Sequence, residues 1–279
     1  MSAGGYSPSP RPTFDRPTAI RGADATRHIW GDAEAGEVAD RIYASTERIH
    51  ALVFCLPRGG SFRHSREYRT VFGADEVLHV LSGTMVAANP ETGEVHKIGP
   101  GRRLVFGPGT WHHAFAHGDE ALEVLELFAP PPSTGTSGAY AKTRPYLEEP
   151  LYADDDALGS TPGDRPAGTM RVLEPSDIVW RRDLGVLTGI VASTEHLTVV
   201  THEVNAGEAA AVHAHAGDEL LYVLSGTLWV RAWHGDAAHV FELEPGDACY
   251  IPMGDRHEYR NHGTGLAEAI AGIAPAYLP

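Results

Sequence analysis

The chain repeats itself, and this repeat limits the folds that it can adopt more than any other feature. The segment DEVLHVLSGT at residues 75–84 matches DELLYVLSGT at residues 218–227, with eight of ten positions identical. Further along, GPGRRLVFGPGTWHH at 99–113 parallels EPGDACYIPMGDRHE at 244–258. Because a repeated segment usually marks a repeated structural unit, we expect two similar domains that arose by duplication.

The repeat divides the chain into four segments. We predict an N-terminal tail over residues 1–25, an N-terminal domain over 26–128, a linker over 129–170 and a C-terminal domain over 171–279. The linker is rich in proline and has little apolar periodicity, so an ordered connection is expected. A strap or lid that packs across one face of a domain is the alternative.

Short apolar runs indicate that both domains are built mainly from strands. Segments such as RIHALVFCL, HLTVVTHEV and TLWVRAW are rich in Val, Leu and aromatic residues, and turn pairs such as SG and PG separate them. With 31 glycines and 20 prolines, the chain has many turns. The pattern predicts an all-β sandwich or small barrel with few short helices. The segment DAEAGEVADRIY, residues 32–43, is the one serious helix candidate.

The charge and hydropathy of the chain argue against nucleic acid and membranes as binding partners. The formal net charge of -15 opposes binding to nucleic acid or to an anionic membrane surface. The sequence indicates neither secretion nor membrane spanning, because its first residues lack an apolar segment and no apolar run approaches 18 residues. We therefore expect a cytoplasmic protein with a small-molecule partner. Cys55 and Cys249 are predicted to be free thiols, because two cysteines make no disulfide framework.

One cluster of residues in the second half has the character of a metal site. His213 and His215 are one residue apart, so in an extended segment both side chains point to the same side. Glu219 heads the next apolar strand after a turn, and burying that carboxylate without a partner would be costly. His257, which follows the turn signals EPGD and IPMGD, is the candidate fourth ligand. Imidazole and carboxylate ligands suit Fe(II), Mn(II), Ni(II), Co(II) or Zn(II).

The spacing of these residues resembles the two motifs of the cupin superfamily. The first motif matches at Gly207, His213, His215, Glu219 and Gly226, and the second matches at Gly246, Pro252, Gly254, His257 and Asn261. This resemblance implies a jelly-roll β-barrel that holds one divalent metal through three histidines and the glutamate. Because the motif halves occur twice, the chain resembles a bicupin, with two tandem cupin domains.

The first half departs from this pattern at the ligand positions. Thr70 and Phe72 stand where the second half has its two neighbouring histidines, while Glu76 and His112 remain. The preceding segment is also five residues longer, counted from Gly59 to Glu76 against Gly207 to Glu219, so His64 is a candidate displaced ligand. A structural domain without metal is one interpretation, and a weaker second site at His64, Glu76 and His112 is the other.

A basic cluster also lies in this longer segment. Arg63, Arg66 and Arg69 are close together in an acidic chain. They could bind a carboxylate or phosphate, and solvated charges or an interface are the alternative interpretations.

Aromatic residues flank the ligand strands and suggest a substrate pocket. Tyr259 and Asn261 share their strand alternation with His257, and Tyr222 and Trp229 lie on neighbouring strands. We predict that these four residues line the pocket, although core packing would explain the aromatic ones equally. The sequence assigns no catalytic acid or base.

The cupin resemblance implies a function without fixing the reaction, because the same ligand set supports several chemistries. The leading hypothesis is an Fe(II) dioxygenase, an oxidoreductase that acts on a small enol, phenol or hydroxy acid chelated by the metal. A non-redox isomerase, lyase or polyketide-type cyclase is the first alternative, and a non-catalytic binding protein is the second. The resemblance also implies a homodimer, unless the two halves of the chain satisfy that pairing internally.

Overall fold

The chain folds into two β-barrels of similar design. The structure, a computed structural model, describes residues 9–131, 141–153, 157 and 163–278. These residues form 23 strands, and in each half a seven-stranded antiparallel sheet packs against a smaller one. The arrangement confirms the predicted all-β class with two jelly-roll domains.

The N-terminal barrel encloses its own apolar core. Its large sheet has the spatial order β14 (Met170–Leu173), β10 (Arg103–Phe106), β7 (Asp75–Ser82), β12 (Leu122–Ala129), β4 (His50–Leu56), β3 (Gly36–Ser45) and β2 (Thr26–Asp32). The smaller sheet has the order β5 (Ser61–Phe62), β11 (His113–His117), β8 (Thr84–Ala88) and β9 (Val95–Ile98). Alternate residues of the large sheet, such as Leu78, Leu104 and Val124, point into the barrel and pack together.

The C-terminal barrel repeats this plan. Its large sheet has the order β1 (Thr18–Ile20), β21 (Ala248–Ile251), β18 (Asp218–Ser225), β23 (Ala267–Ala274), β17 (Thr198–Val204), β16 (Val186–Ser193) and β15 (Val179–Asp183). The smaller sheet consists of β20 (Ala237–Leu243), β19 (Leu228–His234) and β22 (Arg256–Arg260). A short 3₁₀ turn, Pro175–Asp177, precedes the barrel.

Each large sheet takes its edge strand from a segment outside its own domain. Strand β1, in the predicted tail, pairs with β21 of the C-terminal barrel. Strand β14, at the start of the predicted C-terminal domain, pairs with β10 of the N-terminal barrel. Sheet membership therefore does not follow our predicted boundaries at residues 25 and 170, because β pairing joins segments that are distant in sequence.

A third apolar core lies between the two barrels. The outward faces of the two large sheets contribute Ile49 and Leu127 from the N-terminal half, and Leu197, Val199 and Ile270 from the C-terminal half. All five side chains are buried. The two halves thus pack against one another within one chain, as the internal alternative for the pairing predicts.

The repeated sequence segments are equivalent turns. ASTE, which occurs at residues 44–47 and again at 192–195, begins in each half just after a register shift and forms a hairpin turn closed by a main-chain hydrogen bond. Gly101 and Gly246 both have positive φ, 78° and 90°, and donate equivalent hydrogen bonds to Val80 and Val223. These turns need glycine because other residues rarely adopt such backbone angles.

The predicted helix at residues 32–43 is wrong, because this segment is the turn and second strand of a hairpin. The Asp32 carboxylate accepts hydrogen bonds from the amides of Glu34 and Ala35, and Gly36 has a φ of 89°. Strand β3 follows at once and pairs with β2. Among the described residues, no helix has the length and apolar content needed to cross a membrane.

The described parts of the linker run along the N-terminal barrel, so the strap is the arrangement that the molecule adopts. Strand β13 (Ala141–Thr143) pairs with β6 (Thr70–Phe72), and Arg165 exchanges two main-chain hydrogen bonds with Val95. Tyr152 is buried against Phe115. The linker is therefore a structural part of this domain.

Candidate metal centre

Three segments of the C-terminal barrel bring the predicted ligands together. His213 lies beside His257 in an isolated β-bridge, in which the two residues exchange main-chain hydrogen bonds of 2.9 and 2.8 Å. His215 is two residues further on, and its carbonyl oxygen accepts a bond from the Gly254 amide. Glu219 is the second residue of β18 and points into the barrel. The main chain therefore fixes the relative positions of all four side chains.

The four side chains converge on one point. One ring nitrogen from each histidine lies within 4.8 Å of the other two. The Oε2 atom of Glu219 lies 3.0 Å from Nε2 of His257 and 3.4 Å from Nε2 of His215. His215, Glu219 and His257 are buried, whereas His213 is half-buried. The cluster thus lies just inside the barrel and is reached past His213.

Backbone carbonyls orient all three imidazole rings. Each ring places Nδ1 against a carbonyl oxygen, which can only accept a hydrogen bond, so Nδ1 carries the proton. The acceptors are the carbonyls of Ala211, Tyr277 and Asp255, at 2.8, 2.7 and 3.0 Å for His213, His215 and His257. Each ring therefore turns Nε2, the nitrogen that can bind a metal in this tautomer, towards the shared centre.

Burial and neighbouring charges shift the pKa values of three of the four side chains. Burial lowers the pKa of His213 to about 4. Burial alone would raise the pKa of the Glu219 carboxyl, but the charges of His257 and His215 and the hydrogen bond from Tyr259 outweigh burial and lower it. Burial likewise opposes the charged form of His257, yet Glu219 raises its pKa.

Two buried polar atoms test whether a metal fits here. Within the described part of the chain, Nε2 of His213 and Oε2 of Glu219 have no hydrogen-bond partner. Such atoms are costly to bury, and a cation between them would satisfy both at once. Three imidazole nitrogens and one carboxylate form a suitable set for a divalent transition metal. The residues present therefore fit the group that the sequence motifs imply.

Tyr259 extends this cluster into the barrel interior. Its hydroxyl donates a 2.5 Å hydrogen bond to Oε1 of Glu219 and lies 3.1 Å from Nε2 of His257. His202, on β17, packs 5.3 Å from the Tyr259 ring, and burial lowers the pKa of His202 to about 4. These two side chains fill the space behind the four ligands. A substrate must therefore approach from the opposite, outer side.

That outer side is an open mouth that the sequence did not predict. Its lining residues are Arg181, Asp183, Leu184, His213, Ala214, His215, Tyr277 and Leu278. The Asp183 carboxylate accepts hydrogen bonds from Arg181, at 2.9 Å, and from the Tyr277 hydroxyl, at 2.8 Å. Arg181 and Tyr277 lie far from the motifs in sequence, and no spacing rule identifies them.

Of the four predicted pocket residues, only Tyr259 lies in the cluster. Asn261 is buried and binds the carbonyls of Val204 and Gly265, so it holds a turn. The prediction for Tyr222 does not hold, because this ring lies on the other face of β18 and packs against Tyr43 between the barrels. Trp229 also fails, because it points outward from β19 and contacts His262.

The N-terminal barrel does not assemble the second set of candidate ligands. Gly109 donates to the Phe72 carbonyl as Gly254 does to that of His215, so Phe72 occupies a ligand position. His64 is tied to His113, at 2.9 Å, and to Trp111. In the described residues, the C-terminal triad is the one group of three ligating side chains within 4.8 Å. His64, Glu76 and His112 form no such group.

The three arginines of the basic cluster have separate contacts. Arg63 lies over the Phe115 ring, Arg66 contacts Glu148 and Tyr146 of the linker, and Arg69 donates to the Arg66 carbonyl. They do not converge on a shared position for an anion.

Comparison with known proteins agrees with this geometry. The family model for the cupin domain matches residues 200–272, which include all four candidate ligands. None of the curated proteins matches the chain.

Solved structures share this fold over most of the chain. An oxalate decarboxylase from Lactobacillus farciminis superimposes with a TM-score of 0.64 and 16% identity over 93% of this chain and 87% of its own. The Bacillus subtilis oxalate decarboxylase superimposes with a TM-score of 0.63 and 16% identity, over 96% of this chain and 80% of its own. AerE from Microcystis aeruginosa superimposes with a TM-score of 0.60 and 10% identity, over 90% of this chain and 97% of its own. At these identities the likeness shows the fold alone.

Proposed function

Because the chain is a bicupin by fold and carries a cupin domain at residues 200–272, we propose that it is a metal-dependent enzyme with its metal in the C-terminal barrel. One divalent transition metal would bind to His213, His215, Glu219 and His257. The observation that carries this proposal is the orientation of the three imidazoles. Each turns Nε2 to a centre where the Glu219 carboxylate also has an unpartnered oxygen.

The bound metal would supply a Lewis acid with open coordination positions for a chelating substrate. The protein residues around it indicate what kind of substrate fits. Arg181 is the one basic side chain other than histidine among the described residues of the mouth, and it is 46% exposed. Guanidinium groups bind carboxylates well. We infer that the substrate is a small molecule with an acidic or enolic oxygen that enters past Arg181.

The reaction that we propose first is dioxygenation with Fe(II) as the metal. Three imidazoles and one carboxylate suit Fe(II), and the open mouth gives a small enol, phenol or hydroxy acid and O₂ access to the same centre. The protein's part is to bind the substrate's acidic oxygen at the mouth and to keep bulk water from the inner side with Tyr259 and His202. Mn, Ni, Co and Zn suit the same ligands.

A second candidate is a non-redox reaction such as that of a lyase or isomerase. The Tyr259 hydroxyl supports it, because a buried O–H beside Glu219 can hold a proton at the centre for transfer. The oxalate decarboxylases that share the fold are named for a decarboxylation, and the Bacillus subtilis enzyme is described as having Mn(II) centres. A protein that only binds its ligand is the third possibility.

Metal analysis tests the first part of this proposal. Purified protein is expected to hold close to one transition metal per chain by mass spectrometry, and His213→Ala and His257→Ala should each lose most of it. His262→Ala is the matched control, since His262 is exposed and contacts Trp229 outside the site. Equal metal content in all four proteins would contradict the assignment.

Oxygen dependence separates the candidate reactions. The protein would be loaded with Fe(II) in the absence of oxygen and then mixed, in air-saturated buffer, with acetylacetone, catechol or lactate, which represent the three substrate classes. An oxygen electrode would follow oxygen uptake. Uptake that His257→Ala abolishes supports the dioxygenase. Product formed under nitrogen by protein loaded with Mn(II), including carbon dioxide from oxalate, supports the non-redox candidate. No turnover with any metal would leave only the binding function.

A further inference from the structure

The two barrels differ most in what fills their interiors. In the C-terminal barrel, the Tyr259 ring is 1% exposed and occupies the space behind the ligands. In the N-terminal barrel, Ala114 follows His112 by two residues, just as Tyr259 follows His257. Where the other barrel holds that ring, Ala114 lines a cavity of about 90 Å³ that opens to the surface.

Six aromatic side chains line the cavity. Its lining includes Trp30, Phe54, Phe62, Tyr68, Phe72 and Phe128. Trp30 and Phe62 pack edge to face with ring centroids 4.9 Å apart, and Phe72 stacks on Phe128 at 5.4 Å. These paired rings hold one another in place, so the cavity is preformed. Such walls favour a flat apolar ligand.

A pair of carboxyl groups lies at one end of this apolar space. Glu126 on β12 lines the cavity. Glu76 on β7 pairs with Phe128, which is two residues after Glu126 on the same face of β12, so the two glutamates are neighbours. Glu76 is 2% exposed, and its Oε2 has no hydrogen-bond partner among the described residues. In the C-terminal barrel, Glu219 pairs with Ile273, so Ala271 occupies the position of Glu126. The second carboxyl is thus particular to the cavity.

No fixed cation balances these carboxyl groups. None of the described residues that line the cavity is a lysine or an arginine. Burial lowers the pKa of His50 to about 3 and that of His112 to about 4, so both rings are neutral. Asp40, the other acid of the lining, already accepts a 2.8 Å hydrogen bond from Trp30. Burial raises the pKa of Glu126 to about 7 and, together with Glu126, raises that of Glu76, as expected for two adjacent carboxyl groups without a cation.

We propose that this cavity is a second binding site, separate from the metal centre, for a small aromatic amine. The aromatic ring would lie between the paired side chains of the wall. The ammonium group would donate to Glu126, so that its charge replaces the missing cation. Desolvated ion pairs of this kind give large selectivity, because a neutral or anionic analogue leaves the carboxylate unpaired.

Calorimetric titration of the full-length protein tests this site with three probes of one shape. At pH 8, above the pKa of Glu126, phenethylamine is still a cation. We expect it to bind at least about tenfold more tightly than phenethyl alcohol, with no detectable binding of 3-phenylpropionate. Equal affinity for amine and alcohol, or absence of saturable amine binding, would overturn the proposal.

Three variants locate the binding. Glu126→Gln preserves shape and should weaken amine binding about tenfold while leaving the alcohol nearly unchanged. Ala114→Tyr introduces the ring that the other barrel holds and should abolish binding of both probes. If that variant fails to fold by circular dichroism, Glu126→Gln still decides the question.

The third variant separates this site from the metal centre. His213→Ala should lose metal but keep its affinity for phenethylamine, because it lies in the other barrel. Loss of amine binding in His213→Ala, with Glu126→Gln unaffected, would place the amine at the metal centre instead. Failure of the metal assignment alone would leave the cavity proposal intact.

Discussion

At the scale of single residues, main-chain carbonyls decide how the candidate metal ligands point. The positions of His213, His215 and Glu219 were predictable, because spacing in an extended segment fixes which side a residue faces. The groups that orient the rings were not. The Tyr277 carbonyl that holds His215 lies 62 residues away in sequence, and a carbonyl leaves no trace in residue type.

The alternation of side chains along a strand explains why Tyr222 does not line the pocket. Tyr222 lies three residues after Glu219 on one strand, and an odd separation places side chains on opposite faces. Aromatic character favours Tyr222 as a pocket residue, but its position along the strand places it on the other face. Tyr259 is two residues from His257 and does share its face. Strand parity is therefore a better guide to this pocket than composition.

Removing the Tyr259 hydroxyl tests whether it supports the metal ligands. Tyr259→Phe deletes the hydrogen bond to Glu219 and is expected to lower metal affinity about 10-fold to 100-fold, the usual effect of losing an outer-shell partner. Competition with a chromogenic chelator measures this change. Tyr222→Phe is the matched control, because that ring packs between the barrels. Equal affinities in the two variants would show that the Tyr259 hydroxyl does not support the metal.

At the scale of elements, a buried carboxylate attaches the linker to the N-terminal barrel. Glu94 is fully buried and accepts hydrogen bonds from the amides of Gly168 and Thr169, at 3.2 and 2.9 Å. His96 lies 2.8 Å away from the same carboxylate. Because the linker has no apolar period, its docking through polar groups was not predictable.

Replacing Glu94 tests this attachment. Burial alone would raise the pKa of Glu94, but the hydrogen bonds from Thr169 and His96 lower it to about 2. A carboxyl with a lowered pKa stabilises the fold above its ordinary pKa of about 4.3, and this contribution disappears as pH falls to about 2. Glu94→Gln should therefore destabilise the protein by about 1–3 kcal/mol at pH 7 in urea unfolding, with a smaller difference in acid.

A neighbouring glutamate provides the control for this experiment. Glu91 pairs with Arg144 near the surface, where both side chains are 35% exposed. Glu91→Gln should cost less than about 1 kcal/mol, because surface ion pairs contribute little. Equal costs for the two substitutions would mean that burial of Glu94 has no special role.

At the scale of the whole molecule, the two barrels share a core and should unfold together. The repeat predicted two domains, but it could not predict that their outer faces meet, because those faces differ between the halves. Leu127 belongs to this shared core and is 1% exposed. The predicted homodimer would have to use other surfaces and stays a prediction, which light scattering would measure.

Truncating Leu127 tests the shared core. Leu127→Ala should lower the free energy of unfolding by about 2–5 kcal/mol, as for other buried leucines, while a single transition persists. Leu151→Ala, at a leucine that is 66% exposed, should have little effect. Two separate calorimetric transitions in the native protein would contradict a shared core.

The exchanged edge strands have a consequence for how the molecule can be divided. A polypeptide of residues 1–131 keeps β1, which completes the sheet of the other half, and one of residues 141–279 keeps β13 and β14, which belong to the first. When both are produced in one cell, they should reassemble and copurify through a tag on either piece. Shortening the first piece to residues 26–131 removes β1 and its pairing with β21, and should therefore weaken the association of the two pieces. The two barrels can thus be separated by cutting the chain, yet each piece still supplies a strand to the other barrel.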